Sequence, residues 1–430
     1  MRLLHTSDWH LGQSLHNFER TYEHQCFLDW LLDTIAAEHA DALLIAGDIF
    51  DNANPSSASQ KQLYRFLRQA KERAPHLNLI IIAGNHDSPG RLEAPGPLLE
   101  AHGTRVVGTV QRKADGEIDL EPLVLPLTGR GGAVEAWCLA VPFLRPGDVP
   151  RLPARDADDL ASEPAPDAAA APDPAPDPYL AGIALLYQQA LELAQSRRQD
   201  GQAILAMGHC HMVDGQMSTD SERRIVIGGT EMLPAGIFGP DIAYAALGHL
   251  HLAQNVGKQQ HIRYCGSPIP LSFAEVGYSH QILRIDIDGA VVREITPLMV
   301  PRAVALLRVP AKPAPLAQVL EELAALDLPQ AEPERQPFLE VRVLLDAPEP
   351  GLRARVEAAL DGKPVRLAKI ETSSAARNTS IDDEVMTLDQ LEQLKPDDIF
   401  RQLYRQRFDN DAPPDQLSAF TELMLTSRQP

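Results

Sequence analysis

Five short segments concentrate the residues that could do chemistry: Asp8-Trp9-His10, Gly47-Asp48-Ile49-Phe50-Asp51, Gly84-Asn85-His86-Asp87, Gly208-His209 and Gly248-His249-Leu250-His251. Carboxylate, amide oxygen and imidazole recur and thiolate is absent, a donor set that suits Mn, Fe or Zn in a working site better than a structural zinc. Two divalent cations held close together need a bridging carboxylate, and Asp48 is the best candidate. Such a pair can hold a hydroxide and clamp the oxygens of a phosphoryl group, so the chemistry indicated is phosphoester hydrolysis. Each segment alone is commonplace, since a lone Gly-Asn-His-Asp serves equally as a turn with a helix cap. Their force comes from where they fall.

Each follows an apolar run. Arg2–His5, Ala42–Ala46, Leu79–Ala83, Ala203–Met207 and Ile242–Leu247 read as buried strands. Ligands gather at the carboxyl ends of strands in open α/β sheets, so five strand ends should converge on one place. Glycine precedes Asp48, Asn85, His209 and His249, where a residue without a side chain lets the backbone turn sharply off the strand. Thr21–His39 reads as a helix, with Tyr22, Cys26, Phe27, Trp30, Leu31 and Ile35 approximating one face, and Ser56–Arg73 as a second. This alternation predicts a layered α/β fold.

Residues 146–178 collapse in composition to Pro, Ala and Asp, which predicts a flexible or extended excursion. A helix over Gly182–Arg198 follows. Ile282–Ile287 and Val291–Ile295 read as a hairpin that closes a first domain at residues 1–296. Strands at Val304–Val309, Phe338–Leu345 and Val365–Glu371, with helices at Leu316–Leu326 and Gly351–Leu360, predict a small α+β domain over 297–378. The remainder, 379–430, reads as a helical tail. There Pro396, Asp397 and Asp398 open a helix whose Ile399, Phe400, Leu403, Tyr404 and Phe408 share a face, and Leu417–Leu425 forms a second amphipathic stretch.

With 430 residues and 44% apolar content the chain can bury more than one core. It contains no apolar run long enough to span a bilayer, and its start turns polar too early for a signal peptide, so no membrane role is expected. The four cysteines are scattered, which suits a reducing cytoplasm rather than a disulfide framework. Lys plus Arg number 39 against 59 Asp plus Glu, a net charge of −20. A protein that gripped DNA alone through a broad basic face would carry the opposite sign. Either the substrate is not DNA, or metals and a partner supply the positive potential.

The order of the five motifs resembles the calcineurin-like metallophosphoesterase superfamily. The resemblance implies a layered α/β sandwich in which one metal is held by Asp8, His10, Asp48 and His251 and a second by Asp48, Asn85, His209 and His249. It implies that His86 is no ligand but sits beside the phosphate, stabilising the transition state or protonating the leaving oxygen, and that Asp51 orients this ring and keeps it protonated. His211 mimics His251 in spacing but is not expected to ligate, and the other histidines read as packing or surface residues. Asn52 stands where many phosphatases of the superfamily carry Arg, which points away from phosphomonoesters.

Two further stretches, Arg263 to Phe273 (Arg-Tyr-Cys-Gly-Ser-Pro-Ile-Pro-Leu-Ser-Phe) and Pro142-Phe143-Leu144-Arg145-Pro146, are similar to segments of the bacterial SbcD family, as is the layout of a small domain before a helical tail. This resemblance implies a Mn-dependent nuclease working with an SbcC-like, SMC-type ATPase in DNA repair, replication and recombination. It would act as an exonuclease on double-stranded DNA ends and an endonuclease on hairpins and single strands, as a homodimer within the complex. The small domain would cap the site and orient DNA, and the tail would dock on the ATPase. The chain has no Gly-x-x-x-x-Gly-Lys-Ser/Thr phosphate loop, so any ATP dependence comes from another chain. Two rival readings are a phosphodiesterase or phosphatase acting on small nucleotides, and a non-catalytic adaptor of the ATPase. The Gly-Ser-Pro-Ile-Pro segment and C-terminal region argue against the first, and the complete ligand set against the second.

Overall fold

The computed structural model describes residues 1–150, 177–213, 215, 216, 232–345, 347–373 and isolated positions between 400 and 420. The Pro/Ala/Asp-rich stretch at 151–176 lies outside them, as do most residues of both helices expected in the tail. The chain forms two compact units, Met1–Ala303 and Val304 onward.

The first unit is built on two six-stranded sheets. One runs in the order Val291–Met299, Gln281–Asp288, Arg2–Thr6, Ala42–Ala46, Asn78–Ile82, Thr104–Val107; the other runs Gln254–Val256, Gln259–Tyr264, Tyr244–Gly248, Ala203–His209, Val134–Ala140, Val124–Thr128. Strand alternation divides the apolar residues between two cores. Leu3, Leu44 and Ile80 join Leu205, Ala245 and Leu247 between the sheets. Leu4, Leu43, Ile45 and Ile81 point the other way, onto Phe27, Leu31, Leu63 and Phe66 of the helices Thr21–Ala37 and Ser57–Arg73. A third helix, Pro178–Arg197, buries Ile183, Leu186, Tyr187 and Ala190 against the second sheet. The result is a four-layer α/β sandwich, as the alternation of elements predicts.

Within each sheet the central strands are parallel, and register fixes which edge they share. Leu4 pairs with Leu43 and Leu43 with Leu79, while Ala245 pairs with Ala206 and with Ile262. All five motif-bearing strands therefore deliver their following residues to one side.

Three expectations need correction. The face of the first helix is rotated: Phe27, Leu31 and Ile35 are buried, but their buried companions are His24, Leu28 and Leu32, while Tyr22, Cys26 and Trp30 remain partly exposed. The helix packs on the sheet and on its neighbouring helix at once, which shifts the covered stripe. At both ends of the stretch 146–178 the described residues belong to the folded unit. Val149 is buried in the inter-sheet core, and the third helix starts at Pro178, with the Asp177 carboxylate accepting from the Tyr179 amide as its N-cap. The first unit also runs past residue 296. The hairpin strand Val291–Met299 passes through Pro297, and the Val300 amide still donates to the His280 carbonyl.

The second unit carries the small mixed α and β fold. Its strands Leu306–Pro315, Phe338–Leu344 and Arg366–Ser373 are all parallel, linked through the helices Leu316–Ala325 and Leu352–Ala359. Val319, Leu323, Leu339, Val341 and Val356 form its core. No helix among the described residues is long and apolar enough to cross a membrane.

Trp9 ties the sandwich to the first motif. It is fully buried between Phe27 and Phe66, edge-on to both at 5.5 and 5.3 Å, with its indole N–H donating to Thr6 Oγ1 at 2.9 Å. Removing the ring beneath it should unseat the loop that carries Asp8 and His10. Phe66→Ala is expected to cost about 3–5 kcal/mol, read as a drop in the denaturant midpoint at unchanged m-value.

Candidate metal centre

The loops that leave the strand ends are strained. Asp8, His10, Asp48 and His249 adopt φ of 54°, 46°, 49° and 104°, a region that costs a residue with a side chain on the order of 1–3 kcal/mol. Main-chain bonds hold them there: the Asp8 amide donates to the Gly47 carbonyl at 3.0 Å and the His10 amide to the Asp48 carbonyl at 3.0 Å. The His249 amide donates to the Asp8 carboxylate at 3.0 Å.

Of the glycines before the ligands, only Gly47 is in the left-handed region expected of a sharp turn, at φ +90°. Gly84 answers a different need. A Cβ there would fall 2.1 Å from Asp48 Oδ1 and 2.3 Å from the Asp48 amide nitrogen, so the two loops could not approach. Gly208 and Gly248 are likewise places of close approach rather than of turning.

All seven expected ligands come together. Asp8, His10, Asp48, His209, His249 and His251 are each at most 3% exposed, and Asn85 is half-buried. Donor atoms of Asp8, His10 and His251 lie within 4.8 Å of one another, as do those of Asp8, Asp48 and His209. Asn85 Oδ1 stands 3.0 Å from His209 Nε2 and 3.2 Å from His249 Nδ1. Asp48 Oδ2 spans the groups, 3.3 Å from His209 Nε2 and 3.7 Å from His10 Nε2. His211 is buried with its ring 6.1 Å from that of His249, outside these groups.

The residues fit a pair of divalent cations. His10 Nε2 and His249 Nε2 are buried without a hydrogen-bond partner, a state that costs roughly 1–3 kcal/mol unless something binds there. Elsewhere the ring nitrogen facing away from the site is engaged: His209 Nδ1 donates to the Ala46 carbonyl at 2.9 Å, and His251 Nδ1 to Glu275 Oε1 at 2.8 Å. Such outer bonds fix the tautomer and leave the other nitrogen for a metal.

Charge and burial act against each other at the centre of the site. Burial alone would raise Asp48, but His209, then His10 and His86, hold its carboxyl far below the usual range. Burial pulls His209 down, yet the Asp48 carboxylate outweighs it and the ring rises to about 9. His249, buried and beside His209, is pushed well below the ordinary imidazole value.

His86 and Asp51 sit at the rim. The His86 amide donates to Asp48 Oδ1 at 2.8 Å, and its ring packs edge-on to His10 at 4.8 Å. A His86 donor atom also lies within 4.8 Å of those of His10 and Asp48. The orienting contact from Asp51 differs in kind from the expected one. His86 Nδ1 donates to the Asp51 main-chain carbonyl at 2.7 Å, whereas the Asp51 carboxylate lies 3.6 Å from His10 Nδ1. The carbonyl fixes the tautomer of His86, while the Asp51 carboxylate, which burial would raise, is held below its usual range by His10 and then by the charge of His86.

Asp87 belongs to the third motif, yet its sequence position suggests no role for it. Its buried carboxylate accepts from the amides of Ile49, Phe50 and Gly84 at 3.1, 2.9 and 2.9 Å, tying two ligand loops together. Burial, then the nearby Asp48, raise it to about 6 against those three donors. Sequence reasoning misses Glu275 altogether, although it is fully buried behind His251. Its only signal is its place just after the Gly-Ser-Pro-Ile-Pro segment.

Comparison with known proteins bears on the same regions. A family model described as calcineurin-like phosphoesterase matches residues 1–253, and one described as the type 5 capsule protein repressor C-terminal domain matches 302–408. The SbcD component of nuclease SbcCD from Rhodobacter capsulatus is 39% identical over 86% of this chain and 86% of its own length. Its counterpart from Escherichia coli K12 is 32% identical over 88% of this chain and 86% of its own. That of Bacillus subtilis 168 is 32% identical over 66% of each. The first match takes in more than half the chain and every residue gathered at the sheet edge, and the relatives continue through both units; the chain therefore belongs to the calcineurin-like phosphoesterases and, among them, to the SbcD family of SbcCD nuclease components.

Proposed function

We propose that the chain is a two-metal DNA phosphodiesterase that acts with an SbcC-like ATPase on double-stranded ends and hairpins. The observation that carries the metal chemistry is Asp48, whose carboxylate reaches donors of both groups. Asp8, His10, Asp48 and His251 would hold one cation and Asp48, Asn85, His209 and His249 the other, with Mn2+ the ion that the family likeness favours among the Mn, Fe and Zn this donor set suits. When bound, the cations supply an activated water at neutral pH and charge to neutralise the phosphodiester oxygens.

The chain's own groups do the rest. His86, its Nδ1 fixed by the Asp51 carbonyl, presents Nε2 to the leaving oxygen or to charge developing on the phosphate. The Asp51 carboxylate steadies His10. Arg145 is exposed and stacked 5.5 Å over Phe143, whose ring is 6.4 Å from His209, so a phosphate arriving at the site meets a cation at its edge. That local charge, with the metals and the ATPase, answers the net −20.

Residues 304–378 would cap the site and orient DNA, and 379–430 would dock on the ATPase. The relatives' shared name, which makes each of them one component of an SbcCD nuclease, supports this partner, and the missing phosphate loop agrees with it. A homodimer within that complex, a cytoplasmic location with Cys26, Cys138, Cys210 and Cys265 as free thiols, and a place in DNA repair, replication and recombination complete the reading.

The deciding assay is a hairpin duplex cut by the chain with its ATPase in Mn2+, with and without ATP, beside a cyclic nucleotide; cleavage of the nucleotide alone would exclude DNA as substrate. His86→Gln is expected to lower DNA cleavage on the order of 10²–10⁴-fold while Mn2+ stoichiometry stays unchanged. Mn2+ at roughly a hundredfold excess over its dissociation constant should stabilise the chain by about 2.7 kcal/mol per site, seen as a rise in thermal midpoint that a chelator reverses. Asp48→Asn should abolish most of that rise, because one carboxylate serves both groups.

A further inference from the structure

We propose that Glu275 is a positioning residue for the ligand His251, and that the Gly266–Phe273 segment holds its carboxylate in place. This role rests on the two-metal reading of the site. It gives a physical task to a segment that otherwise stands only as a family likeness.

Glu275 is fully buried, and both of its carboxylate oxygens are engaged. Oε1 accepts from His251 Nδ1 at 2.8 Å. Oε2 accepts from the Leu271 amide at 2.7 Å, with Ser267 Oγ further off at 3.5 Å. The segment then returns to the ligand itself: the Ser267 amide donates to the His251 carbonyl at 3.1 Å. Gly266 makes this approach feasible, since at φ +79° it would carry a Cβ 2.6 Å from that same carbonyl oxygen. His251 is thus held from its side chain and its main chain by one closed loop of bonds.

The same segment reaches the other histidine of that donor group. Gln13, three residues beyond His10, donates through Nε2 to the Leu271 carbonyl at 2.9 Å. Arg20, itself paired with Glu23, bonds both Gln13 Oε1 at 3.0 Å and the Pro270 carbonyl at 2.5 Å. His10 and His251, whose rings stand 5.3 Å apart, are therefore braced from one piece of chain.

The chemistry follows from the tautomer. A carboxylate that accepts a hydrogen bond from Nδ1–H leaves the Nε2 lone pair for a cation and makes it a stronger donor. Glutamine could not replace it, because its single carbonyl oxygen would serve one of the two N–H donors while its amide N–H faced the other.

The test is a Mn2+ titration of the full chain, followed by electron paramagnetic resonance of the free ion. The chain as it stands should take up two ions. Glu275→Gln should weaken one of them on the order of 10–100-fold and leave the other essentially unchanged. His251→Ala should weaken the same ion, and the double variant should be no weaker than His251→Ala alone. The proposal fails if Glu275→Gln binds both ions like the parent. It fails equally if both ions weaken along with the unfolding midpoint of the metal-free chain, or if the two substitutions add. A parent chain that takes up no Mn2+ at all would instead remove the metal reading on which the proposal stands.

Discussion

The molecule is organised around the need to keep one buried carboxylate ionised. Asp48 sits 2% exposed at the seam of two sheets, where desolvation alone would force a proton onto it. Imidazoles from both sheets oppose that, His10 from one and His209 from the other, and an amide from the His86 loop completes the shell. A buried charge with such neighbours is stable only where the geometry is held tightly. Much of the surrounding architecture can be understood as providing that hold.

The hold is expensive. Four of the candidate ligands lie in a backbone region that disfavours side chains, held there by bonds between the loops. Trp9 wedges the first loop against two aromatic rings, and the Asp87 carboxylate laces the second loop to the third through three amides. The remaining core, between the sheets and under the helices, is mostly aliphatic.

Much of this is legible in the chain itself. The strand Ala42–Ala46 is bounded as its apolar run suggests, because a buried parallel strand has no other way to look. Ser56 reads as a helix start and caps one, accepting from the Ser59 amide. The seven residues that gather at the sheet edge are readable because each follows such a strand. Other features are not legible, for identifiable reasons. Helical periodicity shows that a stripe exists but not how two neighbours rotate it, hence Leu28 and Leu32 in place of Tyr22 and Cys26. A carboxylate in a motif suggests side-chain chemistry, whereas Asp51 meets His86 through its backbone. Glycine before a ligand suggests a turn, while Gly84 marks a collision avoided. Glu275 lies beyond the last motif, and nothing in its neighbours' spacing announces that it folds back behind His251.

The order in which the donors occur along the chain has a consequence for biogenesis. Asp8, His10, Asp48 and Asn85 come from the first sheet, His209, His249 and His251 from the second, and Glu275 follows later still. A nascent chain that has emerged only through its first hundred or so residues presents carboxylates, an amide and one imidazole ligand with nothing opposite them. The donor set is therefore complete only once the later sheet has emerged from the ribosome and docked. An ion held by donors of both sheets would join halves of the sandwich made at different moments of translation.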